Sequence, residues 1–398
     1  MRKIADLRMG HPRVCRRVVV AALVRGTVAL LITGCASVGG ATTPAPGTER
    51  SVALPPGTIR YYVYVANINS NSVSAYAIDT STGALTPVNG SPFTTGTGPR
   101  GIAADPKGKF VYVANYGSND VSAYTINTGS GALAEANGSP FAAETGPWHV
   151  AVDPAGKLIY VTNYGSNNLS AYAITASDGT LTAAKGSPFA AGSSPAGVAA
   201  DPLGKYVYVA NNGSRDVSTY AIGPSTGARA AVRGSAVAAG VYPVGVSVDP
   251  TGKFVYVTNN GSATVSAFTI SASSGALSEV RGSPFSAGSS PWDLAVDPTG
   301  KFVYVANATS ATVSAYTISP STGALKEVRG SPVLAGSSPR GIAIDPTGSY
   351  VYVANYGSNN ISAYAINATS GALTEVRGSP FPAGARPGAL AIAAVTGP

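Results

Sequence analysis

The 398-residue chain predicts an all-β fold, a ring of seven four-stranded antiparallel sheets that the C-terminal strand closes onto the N-terminal blade: a seven-bladed β-propeller. Three observations carry this expectation. The string Tyr-Val-(Ala/Thr)-Asn recurs with its Asn at positions 67, 115, 163, 211, 259, 307 and 355, always 48 residues apart. Each unit holds short β-type runs separated by Pro/Gly turns. The tail of the chain supplies the one strand that its first unit lacks.

Fixed-period self-similarity is the mark of a repeat architecture. In the fullest unit the expected strands are Gly341–Ile344, Tyr350–Ala354, Ile361–Ile366 and Ala372–Val376. Asp345-Pro346-Thr347-Gly348, Tyr356-Gly357-Ser358-Asn359 and Ser370-Gly371 provide the turns between them. Strands of this length joined by such turns form a meander, and no segment holds a 3.6-residue hydrophobic period, so no helix is expected. The second run, for example Phe254-Val255-Tyr256-Val257, is apolar at consecutive positions. A sheet wet on one face alternates. These strands must therefore be covered on both faces, as in stacked propeller blades.

The ends indicate closure. The first unit begins near Tyr61 without the Gly-Ile-Ala-x-Asp-Pro segment that opens later units, and Gly388–Ala393 repeats that segment at the other terminus. Joining the two removes the free sheet edges. The Tyr-Val-(Ala/Thr)-Asn repeats with Asp-Pro-x-Gly-Lys turns resemble the YVTN family of seven-bladed propellers, which overlaps the lactonase-like propellers related to bacterial 6-phosphogluconolactonase. The resemblance covers about residues 60–396. It implies the propeller fold, and a lactonase-type hydrolase as one possible activity.

Charge and cysteine content describe an address. The formal charge is +8, but residues 1–34 contain seven Lys/Arg and one acid, leaving 19 basic and 17 acidic residues, a net of +2. That balance provides no electrostatic footprint for nucleic acid. The leader is basic, then apolar (Val18–Val24 and Val28–Ile32, interrupted by Arg25), and ends Leu31-Ile32-Thr33-Gly34-Cys35, the layout of an export signal. The small residues before Cys35 resemble a lipoprotein processing site, which implies lipidation of Cys35. Residues 35–59 read as a flexible, Pro-containing tether and residues 60–398 as the propeller. The expected location is the cell envelope, outer membrane or cell surface rather than inner membrane. The expected partners are a membrane, through the lipid, and a small-molecule or protein ligand, with the propeller itself a monomer. The other cysteine, Cys15, lies in the leader, so no disulfide is expected in the mature chain.

Repeated residues build the scaffold; a specific site is sought where the copies differ. After the Pro of the Pro-x-Gly segment, the units read Gly388, Arg100, Trp148, Ala196, Val244, Trp292 and Arg340, and the next position includes His149 and Asp293. Both tryptophans of the chain, and its only histidine beyond the leader, fall in these two slots. Glu144 replaces a Gly found in the six other copies, while Tyr242 and Arg386 precede the Pro. These positions begin the innermost strands and should ring the channel mouth. Trp148 and Trp292, three blades apart, should lie nearly opposite. Arg100, Trp148, Tyr242, Trp292, Arg340 and Arg386 are the candidate ligand-binding residues, suited to an anionic or sugar-like ligand. His149, with Glu144 or Asp293 orienting it, is the candidate general base of a lactonase-like hydrolase; simple packing of His149 is the competing expectation, and His149 and Asp293 need not touch. The Asp-Pro aspartates (Asp105, Asp153, Asp201, Asp249, Asp297, Asp345) read as turn caps. No pattern calls for a metal or another cofactor. Blade four departs from the repeat: Arg229 replaces Leu, and Ala236-Val237 replace Pro-Phe, a possible rim contact.

Overall fold

A computed structural model describes residues 57–223, 227–231 (backbone only) and 236–397; the leader, Cys35 and most of the tether lie outside the described residues. Seven antiparallel sheets follow one another round a central axis, and no helix occurs among the described residues. In blade three the innermost strand Pro147–Val152 pairs with Leu158–Asn163, then Asn168–Ile174, then Leu181–Ala183. The expected four-stranded meander is present, with one addition. The Ser-Pro-Phe link folds back as a two-residue strand, Phe189–Ala190 in this blade, and pairs with the start of the third strand.

The repeated motif explains the stacking. Along Phe110–Asn115 every residue is buried, and neighbours in sequence point to opposite faces. Phe110, Tyr112 and Ala114 pack against Ile159 and Val161 of the next blade. Val111 and Val113 pack the other way, against Tyr62 and Tyr64 of the blade before. The aromatic face of each sheet thus meets the valine face of the next. The motif Asn ends the strand fully buried and ties it to the third strand: Asn163 Nδ2 donates to Ser170 Oγ at 2.8 Å and to Asn168 Oδ1 at 2.7 Å. The Asp-Pro aspartates cap the following turn, as Asp105 Oδ1 does by accepting from the backbone amides of Lys109 (2.5 Å) and Phe110 (2.8 Å).

Closure follows the same rule. Pro387–Thr396 pairs antiparallel with Ile59–Asn67, in register from Ile59 opposite Thr396 to Ala66 opposite Ala389. Val63 and Val65 of this composite blade pack against Tyr350, Tyr352 and Ala354 of blade seven. The last interface is therefore built like the others.

Candidate functional site

Every innermost strand opens with a buried Pro opposite the motif Asn, then a β-bulge. In blade three, Pro147 faces Asn163 and His149 faces Thr162, leaving Trp148 unpaired; the same shift occurs at Trp292 in blade six. A bulge re-aims the extra residue out of the ladder. Where Thr replaces Ala before the motif Asn, its hydroxyl pins this geometry. Thr162 Oγ1 accepts from His149 N at 3.1 Å and donates to Ala196 O at 2.6 Å, and Thr258 Oγ1 donates to Trp292 O at 2.9 Å. The turn after the second strand lies beside the link before the innermost strand, with Tyr164 N donating to Gly146 O at 2.8 Å. Turn and link residues therefore surround one end of the channel.

Trp148 and Trp292 meet across that end, ring centres 6.5 Å apart and planes inclined by 26°. Each carries a guanidinium from a neighbouring blade. The Arg100 guanidinium carbon lies 4.1 Å from the Trp148 ring centre, and that of Arg340 lies 4.2 Å from Trp292. Tyrosines extend the stack: Tyr164 lies 4.7 Å from Trp148, while Tyr116 approaches it edge-on at 5.7 Å. Arg340 also lies 3.5 Å above Tyr356, and Arg386 donates from Nη1 to Tyr356 Oη at 3.0 Å.

The charges here are unbalanced. Burial lowers the pKa of Arg340 to about 10, and the guanidiniums of Arg100 and Arg386 push in the same direction against the Tyr356 hydroxyl; no carboxylate among the described residues acts on it. Burial lowers Arg100 too. At neutral pH Arg340 stays charged, and its Nε is buried without a hydrogen-bond partner. A small cavity of about 20 Å³ lies among Ile68, Arg100, Trp148, Trp292, Arg340 and Gly388.

Beneath the tryptophans, His149 and Asp293 line a cavity of about 30 Å³, room enough for one water. The two side chains, which the sequence did not require to meet, share one space, without a direct hydrogen bond among the described residues. Burial holds the His149 pKa down, to about 4, against a smaller opposing effect of the Val198 backbone. Its Nδ1 has no partner. Burial raises Asp293 to about 7, although the Leu294 and Ile342 amides favour its charged form; the Leu294 amide donates to Oδ1 at 2.9 Å.

The structure therefore brings together Arg100, Trp148, Trp292 and Arg340, joins Arg386 to them through Tyr356, and sets His149 and Asp293 below. It leaves Glu144 and Tyr242 outside. Glu144 is exposed on the link, and its charge acts on Tyr172 of the third strand. Tyr242 is 47% exposed and carries the Arg215 guanidinium 5.5 Å from its ring. Tyr116, Tyr164 and Tyr356 belong to the site yet escaped the sequence reading, because Tyr was taken there as turn consensus. The signal was present: the seven copies at this position read Ile68, Tyr116, Tyr164, Asn212, Asn260, Ala308 and Tyr356. Among the described residues no group of three or more His, Cys, Asp or Glu is placed to hold a metal.

The fold defines a seven-bladed propeller with an aromatic, cationic cluster at one end of its channel. Residues 57–145, 134–240, 231–335 and 293–386 match the family described as Lactonase, 7-bladed beta-propeller, and the chain belongs to that family. Among solved structures it is similar to a putative 6-phosphogluconolactonase from Bacteroides uniformis (21% identity, 84% of this chain and 99% of that one, TM-score 0.71). It is likewise similar to a putative 6-phosphogluconolactonase from Bacteroides fragilis (23%, 87% and 99%, 0.71). A third similar structure is the periplasmic gluconolactonase of Pseudomonas aeruginosa (19%, 85% and 100%, 0.71). These likenesses establish the fold. Comparison with curated proteins returns no match.

Proposed function

We propose that the channel mouth binds a small carboxylate of the sugar-acid type, or the corresponding lactone, on a protein held in the cell envelope by a lipid on Cys35. One observation carries the binding: among the described residues, the half-buried guanidiniums of Arg100 and Arg340 lie on aromatic faces without a carboxylate partner, and Arg340 Nε is unpaired. A buried cation lacking its anion costs free energy that a bound carboxylate returns through charge-assisted hydrogen bonds. Trp148 and Trp292 offer flat apolar faces for the ring of such a ligand. Membership of the lactonase family favours lactones and their acids as the ligand class, and one structural relative bears the name gluconolactonase.

Titration calorimetry with gluconate, gluconolactone and neutral glucose tests this reading. Gluconate should bind and quench tryptophan fluorescence, glucose should not, and Arg340→Ala or Arg100→Ala should weaken gluconate by about tenfold or more. Absence of gluconate binding, or binding indifferent to both substitutions, defeats it. Membrane attachment is checked separately, by mass spectrometry of the mature N-terminus in the wild type and in Cys35→Ser.

A second reading, lactone hydrolysis, is favoured by one feature. Asp293 has a pKa near 7 and borders a cavity of one water's size below the arginines. A general base works best when its pKa lies near the working pH. Asp293 meets that condition; His149, near 4, is a poor base and serves as a neutral hydrogen-bonding group. On this reading Asp293→Asn abolishes lactone hydrolysis with gluconate binding retained, whereas His149→Gln lowers the rate less.

A further inference from the structure

The junction between blades three and four breaks a rule that the six others keep. At those six, an aromatic residue near the start of the second strand packs against a turn glycine of the next blade. Phe110 on Gly179 and Phe254 on Gly323 are examples, where a Cβ on the glycine would come within 2.5 and 2.4 Å of the ring. The tyrosine two residues on donates its hydroxyl to that glycine's carbonyl, at 2.9 to 3.4 Å, from Tyr64, Tyr112, Tyr208, Tyr256, Tyr304 and Tyr352. At the seventh, the aromatic is Leu158. The equivalent hydroxyl, on fully buried Tyr160, has no partner among the described residues, and neither has that of fully buried Thr219 in blade four, where the other copies carry Ala. The blade-four hairpin pairs differently as well, with Gly223 opposite Gly227 and a register shift before it.

A groove of about 780 Å³ lies at this junction, on the face of the Asp-Pro turns and away from the tryptophan mouth. The volume lies within the usual range of small-molecule sites, about 300–1,000 Å³. Leu158, Ile174, Leu203 and Ile222 supply an apolar lining, with Leu203 57% exposed. Lys157 and Lys185 stand on its rim. Among the described residues lining it, the one acid, Asp153, caps the Lys157 and Leu158 amides at 2.6 and 2.8 Å. An apolar trough edged by two lysines whose neighbouring acid is already engaged complements an amphiphile with an anionic head.

We propose that the groove between blades three and four binds a long-chain carboxylate, the chain lying along Leu158 and Leu203 and the head between Lys157 and Lys185. The full chain is titrated with laurate, dodecanol and a fluorescent fatty-acid analogue. Laurate should bind and displace the analogue, and dodecanol should bind more weakly. Leu158→Phe, which restores the aromatic of the other junctions, should weaken laurate on the order of tenfold or more. Lys157→Glu with Lys185→Glu should weaken it about fivefold or more, while unfolding temperature shows that both variants remain folded. Arg340→Ala should leave laurate binding unchanged, separating this groove from the mouth. No laurate binding, equal binding of the alcohol, laurate binding insensitive to both groove variants, or loss of it in Arg340→Ala overturns the proposal.

Discussion

Asp293 and His149 share the cavity under the tryptophans, and burial moves both toward the uncharged form. The consequence for stability has opposite signs. The Asp293 pKa rises from 3.8 to about 7. Its contribution is complete below the unfolded value and is lost as pH rises through the folded one. The His149 pKa falls from 6.5 to about 4. Its contribution is complete above the unfolded value and is lost as pH falls through the folded one. Between about pH 4 and 6.5 the two nearly cancel, since folded and unfolded chains bind the same number of protons at this pair. Single variants unmask each effect. Relative to wild type, Asp293→Asn should make stability rise with pH in that window and His149→Gln should make it fall, each by about 1.4 kcal/mol per pH unit. Denaturant unfolding at pH 4.5, 5.5 and 6.5 measures this; parallel profiles for all three proteins would refute the shared cavity's electrostatics. Sequence reading located both residues from their odd slots in the repeat. It could not show their meeting, because three blades separate them along the chain and only the diameter of the ring brings them together.

At the scale of the element, the blade interface depends on the tyrosine latch and the bare glycine beneath the aromatic. Tyr256→Phe removes a buried hydrogen bond to Gly323 O and should cost about 1 kcal/mol. Tyr160→Phe removes a hydroxyl that has no partner and should be neutral or stabilising. Gly323→Ala places a methyl within 2.4 Å of the Phe254 ring at a φ of +74° and should cost about 2 kcal/mol or more. Thermal unfolding of the three variants checks this order. The strands themselves were legible: the expected Tyr350–Ala354 is observed as Tyr350–Asn355, and Ile361–Ile366 as Asn360–Ile366. The short pairing strand in the Ser-Pro-Phe link was not, because two residues carry no period of their own and pair only after the third strand is in place. Glu144 shows the opposite error. Its departure from a sixfold Gly is plain in the sequence, but the link holds it on the exposed rim rather than over the channel.

For the whole molecule, closure is the cooperative event. Ten residues, Pro387–Thr396, complete the sheet that Ile59–Asn67 begins, and the same blade packs against its neighbour on each side. A chain ending at Arg386 would present Ile59–Asn67 as an unpaired edge to the channel and lose the Gly388 wall of the proposed anion site. Its unfolding temperature should fall by about 10 °C or more, and gluconate binding at the mouth should vanish with it. An unchanged melt would mean that the ring does not depend on this clasp. In repeat proteins each unit is stabilised chiefly by its neighbours, so removing the strand that joins the ends exposes two interfaces at once.

The sequence by itself determined the seven blades, the strand order within each, the terminal clasp and the slots in which the copies disagree. All of these follow from local turn chemistry and short, continuous apolar runs repeated every 48 residues. Only the tertiary structure decided what the odd residues do to one another: that two tryptophans close over the channel with arginines on their faces, that His149 and Asp293 share a cavity, and that one junction stands open. Those facts depend on distances across the ring, and a chain read in order carries no measure of separation between residues that meet only when the ring shuts.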